Sequence, residues 1–151
     1  MLRRFHLAAA VTATVTILAF WATTMVVELL GTTATIAGAK LAILWGMLVL
    51  VPAMAATGAS GFRLGSKRRN PIVATKKRRM ALVAGNGLLV LVPSAIFLAG
   101  RSATGTFDGW FYAVQTIELV AGATNLALMS LNLRDGLRLS GGVRLGGAAA
   151  Q

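Results

Sequence analysis

Four apolar segments, each long enough to cross a bilayer as a helix, follow one another within 151 residues and dominate what this chain can fold into. They cover residues 7–30, 36–62, 80–100 and 110–133; Glu28, Lys40 and Glu118 are the single charges of the first, second and fourth, and the third has none. A hydrocarbon core of about 30 Å takes about 20 helical residues to cross. In lipid the backbone must satisfy its own hydrogen bonds, and a helix does so within one segment. Alternation at period two, the mark of a transmembrane barrel, is absent. An all-α integral membrane four-helix bundle is therefore expected, a single domain over 1–139 with helices near 6–30, 34–58, 80–100 and 108–133. The glycine-rich stretch 140–151 reads as a disordered tail.

Composition agrees. Only 13% of the residues are charged, against about 25% in an ordinary soluble domain. Fifteen residues are basic and four acidic, a formal net charge of +11. Such a charge invites a nucleic-acid reading, so its placement decides the matter. Eight of the fifteen basic residues fall within 63–79, where a basic loop is expected: Arg63, Lys67, Arg68, Arg69, Lys76, Lys77, Arg78 and Arg79. Arg3 and Arg4 open the chain, and Arg134, Arg138 and Arg144 follow the last apolar run. The basic residues thus punctuate a membrane chain, and no nucleic-acid partner is expected. Under the positive-inside rule both termini and the 63–79 loop are cytoplasmic. The expected setting is a bacterial inner membrane, with anionic lipid headgroups contacting Lys67, Arg68, Arg69, Lys76, Lys77, Arg78 and Arg79. Met1 to Arg4 followed by an apolar run also has the form of a signal peptide, with a small-residue site at Ala37-Gly38-Ala39. The run is about twice the usual length and contains Glu28, so retention of helix 1 is favoured.

The absence of cysteine and the single histidine exclude disulfide scaffolds, structural zinc, iron–sulfur clusters, thiol nucleophiles and a bis-histidine haem within the chain. No cofactor or metal site is expected. The lone His6 reads as an interfacial residue snorkelling outward. No nucleophile–base arrangement is visible, which disfavours hydrolytic chemistry.

Attention falls on polar residues inside the apolar runs, because a charge there costs about 2.5–3.5 kcal/mol on insertion scales and usually faces a partner. In the last segment Gln115, Glu118, Gly122, Asn125, Met129 and Asn132 recur at steps of three and four, one helical face. Depth arithmetic at 1.5 Å per residue brings Glu28, Lys40, Gln115 and Glu118 to one level near the α-hairpin end. Two carboxylates with one lysine leave a surplus negative charge, and the deeper Glu118 is expected to be the neutral member. Asn86 and Asn125 lie at a common depth in the other half and are expected to pair across a helix interface. Pro52 and Pro93 each remove a backbone donor and are expected to kink or loosen their helices.

Three function classes fit these residues. The favoured one is a non-enzymatic accessory or assembly component, alone, as a homo-oligomer, or with a membrane partner subunit. The alternative is a small oligomeric transporter or channel with ion or proton coupling at Glu118 and Lys40. The third is a redox subunit working with quinone or a partner's cofactor.

Overall fold

The computed structural model describes residues 1–65 and 71–148, with side chains described for 1–65 and 74–136. It is helical throughout: α1 (Leu2–Leu30), α2 (Thr33–Gly65), α3 (Pro71–Asn86), a π-helical turn (Gly87–Leu91), α4 (Val92–Ala103) and α5 (Gly109–Ala148). The π turn joins α3 to α4, so the elements make four helices long and apolar enough to cross a membrane: Leu2–Leu30, Thr33–Gly65, Ala74–Ala103 and Gly109–Gly136.

The helices outrun the segments read from hydropathy. α2 continues to Gly65, and α3 begins at Pro71, so Lys76 to Arg79 stand on helical turns and not in a loop. Proline suits the first helical position, where its fixed φ is already right and its missing N–H has no partner to lose. Residues 67–69, three of the expected headgroup contacts, lie outside the described residues. At the other end α5 continues through Ala148, where a disordered tail was expected from Ser140. Extending an existing helix adds a hydrogen bond per residue with no new nucleation cost.

Local chemistry sets the turns. Gly31 closes α1 with its N–H on the Val27 carbonyl at 2.9 Å. A side chain there would press on that carbonyl and on Thr35 Oγ1, so the hairpin needs a glycine. Thr32 then caps α2 reciprocally. Its N–H donates to Thr35 Oγ1 at 2.7 Å, and the Thr35 N–H donates to Thr32 Oγ1 at 3.3 Å. This is a capping box with threonine in both roles. Asp108 caps α5, accepting the Phe111 N–H at 3.0 Å.

The π turn has a cause in Pro93. In an α-helix the pyrrolidine ring would collide with the carbonyl four residues back, that of Leu89, and the wider turn opens that contact. The same widening keeps a four-residue pattern on one face. Val83, Gly87, Leu91 and Ala95 are all buried, although steps of four drift by about 40° each around a regular α-helix.

Packing follows a four-cornered arrangement. α1 lies along α2, α2 contacts α3 and α4, these contact α5, and α5 returns to α1. α2 and α5 occupy opposite corners, and among the described residues their backbones are not neighbours. Two apolar clusters fill the interior. Ala13, Ile17, Leu50, Val83 and Met129 form one toward the chain termini; Ile36, Leu98 and Phe111 form the other toward the α1–α2 hairpin. The outer surface is the more apolar side, with Trp45, Leu48, Leu89 and Trp110 exposed while Lys40, Gln115 and Asn125 are buried. That inversion suits a chain whose surroundings are hydrocarbon and whose polar groups need each other.

Candidate functional site

Between the two apolar clusters lies a polar layer. Lys40 on α2 is 1% exposed, and its Nζ donates to Glu118 Oε2 on α5 at 2.6 Å. A longer contact of 3.5 Å runs from the same Nζ to Thr24 Oγ1 on α1. The ion pair therefore ties together two helices whose backbones are not neighbours, across the centre of the bundle. A lysine is suited to this reach, since its four-carbon stem packs as a hydrophobe while the ammonium travels to its partner.

Trp21 adds a second tie one turn closer to the termini. Its Nε1–H donates to the Leu119 carbonyl at 3.0 Å, fixing α1 against α5. Gly122 makes room for that indole: a Cβ there would sit 3.1 Å from Trp21 Cδ1. Beside these groups is a cleft of about 40 Å³ lined by Trp21, Thr24, Met47, Leu91, Glu118 and Gly122, among others. Its lining is almost wholly apolar, the condition under which a void of this size stays dry. Glu118 is the one charged group on its wall.

Two further polar groups of the layer stand without partners. Gln115, 3% exposed and three residues before Glu118, has both amide atoms buried and unbonded. Glu28, half-buried on α1, has Oε1 buried and unbonded. Its charge is attracted by Lys40 and repelled by Glu118. The four residues assigned to one layer by depth, Glu28, Lys40, Gln115 and Glu118, do not share one network. Lys40 engages Glu118, and Glu28 and Gln115 stand apart. This bears on the surplus charge. The ammonium rests on Glu118, so the carboxyl left without a counter-ion in this structure is Glu28.

In the other half Asn86 Nδ2 donates to Asn125 Oδ1 at 2.8 Å and to the Ala121 carbonyl at 2.9 Å. Asn125, fully buried, donates to the Val83 carbonyl at 3.4 Å. These contacts join the α3 end of the π turn to α5. Nearer the termini, His6 Nδ1 lies 2.9 Å from Ser60 Oγ, so the ring turns toward α2 instead of reaching outward. Arg79 pairs with Asp135 at 2.7 Å, and Lys77 stacks 4.9 Å over the Phe62 ring. Of the expected headgroup contacts, Arg79 and Lys77 thus have protein partners on α5 and α2.

Several of these groups escaped sequence reasoning. Trp21 is grouped with the hydrophobic residues, yet its N–H needs an acceptor once buried. Thr24 was overshadowed by Glu28, one turn away. The Arg79–Asp135 pair joins a residue expected at the lipid headgroups to one for which no role was expected.

At the hairpin end Arg101 pairs with Asp108, and that carboxyl is held below the usual carboxylate range, first by the Arg101 hydrogen bond and then by the Phe111 N–H. Among the described residues no group of three histidine, aspartate or glutamate side chains is placed to hold a metal ion. The chain matches no family model, no curated protein and no solved structure.

Proposed function

We propose that this chain is a multi-pass protein of a bacterial inner membrane, with both termini cytoplasmic, acting as a non-enzymatic accessory or assembly component. The observation that carries the reading is how the interior polar groups are used. Lys40–Glu118, Trp21–Leu119 and Asn86–Asn125 each join two different helices. Polar contacts of this kind contribute modestly to stability, about 0.6 kcal/mol on average, but they select which helices pair and in which register. Orientation rests on the positive-inside rule: the terminal end carries Arg3, Arg4, Arg63, Lys76, Lys77, Arg78 and Arg79, and the hairpin end carries Arg101. Lys76 and Arg78, with residues 67–69, are the groups proposed to meet anionic headgroups.

Native mass spectrometry after gentle detergent extraction tests the reading. A stoichiometric membrane partner or a defined homo-oligomer supports it, and a monomer that catalyses solute flux in liposomes refutes it. Topology is tested separately by single-cysteine labelling, which the cysteine-free chain permits without background. Labels at positions 3 and 138 should be reachable only from the cytoplasmic side.

The second reading, ion or proton coupling in an oligomer, is favoured by one observation. The α5 stripe carries polar groups at Gln115 and Asn132 that are buried and unpartnered within one chain.

A further inference from the structure

The terminal end of the bundle gathers positive charge around one carboxylate. Of the chain's four acidic residues Asp135 alone lies there, the others standing in the polar layer or at the hairpin. Arg79 from α3 pairs with it at 2.7 Å, and Arg134 approaches its other oxygen at 3.9 Å. Lys76, one turn before Arg79, feels the same carboxylate. Among the described residues, however, no acidic group comes within ion-pair distance of it. Its ammonium lies instead on the bare backbone of Gly136 on α5, where a Cβ would sit 3.1 Å from Lys76 Nζ.

One turn earlier on the same face of α5 is Asn132, 7% exposed, with both amide atoms buried and unbonded. Residues four apart on a helix stand about 5–6 Å from each other at Cβ. An ammonium and an idle amide donor therefore flank one place between α3 and α5. Buried amides without partners are rare in native structures, because desolvation is then left uncompensated. Lys76 and Gly136 are half-buried, so the place opens at the rim with Asn132 behind it. Met129, a further turn inward, belongs to the apolar cluster beneath. His6, engaged with Ser60 of α2, also feels the Lys76 charge, so α1 borders the same place. Depth identifies the anion at hand. The span Gly109–Gly136 holds 28 residues, about 42 Å at 1.5 Å per residue. A bilayer with its headgroup zones measures about 40–45 Å. Gly136 ends that span, and Lys76 lies two residues inside the start of Ala74–Ala103. Both stand at headgroup level.

We propose that Lys76 and Asn132 form a seat for the phosphate of one anionic lipid between α3 and α5, with Lys76 Nζ and Asn132 Nδ2 as donors and Gly136 leaving the space. The chemistry matches on both sides. Phosphate oxygens accept from an ammonium and an amide, and the negative charge offsets the surplus around Asp135. Basic pockets between helices at the cytoplasmic side are suited to such headgroups. The seat rests on the reading above that this end meets anionic headgroups, and narrows a diffuse contact to one site.

The test titrates phosphatidylglycerol into the full chain in mild detergent and counts bound lipids by native mass spectrometry, with phosphatidylcholine as the neutral comparison. Wild type should hold one phosphatidylglycerol more tightly than any further one. K76Q should weaken that first binding about tenfold, the effect of losing a charge-assisted hydrogen bond, and K76R should restore most of it. N132L should weaken it about threefold, with a melting temperature at or above wild type because a buried unsatisfied amide is gone. R4Q, which removes a charge from the exposed start of α1, should leave it unchanged. Equal losses in K76Q and R4Q would reveal a diffuse basic belt, so the headgroup reading would stand and the seat would fall. Wild-type binding by N132L would also overturn the seat. No preference for phosphatidylglycerol over phosphatidylcholine would overturn both. Displacement of the lipid by inorganic phosphate at equal concentration would assign the seat to the free ion and overturn the lipid as its occupant.

Discussion

Lys40 and Glu118 are 78 residues apart in sequence and 2.6 Å apart in space, on helices whose backbones do not touch. Every other inter-helix tie described above joins adjacent corners of the bundle. This one crosses it, and both partners are largely withdrawn from solvent, at 1% and 12% exposure. Breaking such a pair by removing one partner leaves the other charge buried, at a cost of about 3–5 kcal/mol. K40M, which leaves Glu118 and Glu28 together with no cation between them, should approach that full loss. K40M/E118Q should recover part of it. Thermal unfolding in detergent reads both, and a K40M protein as stable as wild type would show that the pair contributes nothing.

The asparagine contacts predict an order of effects. Replacing Asn125 by alanine leaves Asn86 Nδ2 its second acceptor, the Ala121 carbonyl. Replacing Asn86 strips the fully buried Asn125 Oδ1 of the contact it has from Asn86. N86A should therefore be the more destabilising, within the range of about 0.6–1.7 kcal/mol found for intramembrane hydrogen bonds. Denaturant titrations of the two variants check the ranking.

At the hairpin, T32A removes the side-chain oxygen that accepts the Thr35 N–H. Loss of an N-cap oxygen costs about 1 kcal/mol. Because the Thr32 side chain is exposed, the effect should be confined to the α1–α2 junction. Hydrogen exchange should show faster amide exchange in the first turn of α2 with the α5 amides unchanged.

Acid sensitivity should trace in part to Asp108. Its carboxyl is held below the usual carboxylate range, chiefly by Arg101 and then by the Phe111 amide. A group favoured in its ionised form when folded adds stability that is complete above the ordinary carboxylate range. That stability disappears as pH falls through the lowered value of the folded state. D108N should flatten the acid limb of a melting-temperature profile and leave the neutral limb nearly parallel to wild type. An unchanged acid limb would show that the pair with Arg101 does not contribute.

Depth was legible in the sequence, and direction was not. Counting residues from the helix ends brings Lys40 and Glu118 to one level, and Asn86 and Asn125 to another, because rise per residue is nearly constant. Which partner a side chain meets depends on how each helix is rotated about its axis, and two carboxylates at similar depth give no reason to prefer one. Lys40 meets Glu118 and not Glu28, a choice that depth alone leaves open. The polar stripe on α5 was legible from its period. Its neighbours were not: the α5 backbone sides with α1, α3 and α4, and it meets α2 through side chains reaching across the bundle, Lys40 among them. Trp21 shows a different limit, since hydropathy sums carry no record of a single N–H seeking a carbonyl.

The π turn at Gly87–Leu91 holds one more residue than an α turn would. The third span therefore carries a built-in phase correction between Asn86, which serves α5, and the Ala95–Leu98–Ala99 face buried in the hairpin half. Replacing Pro93 so that the turn closes as a regular α-helix would keep all five residues in place. It would also rotate one half against the other by about 100°, the angle of a single residue. The two halves of the bundle would then no longer be able to satisfy their partners at once. In that sense residues 87–91 act as the vernier by which two separately packed ends are brought into mutual alignment.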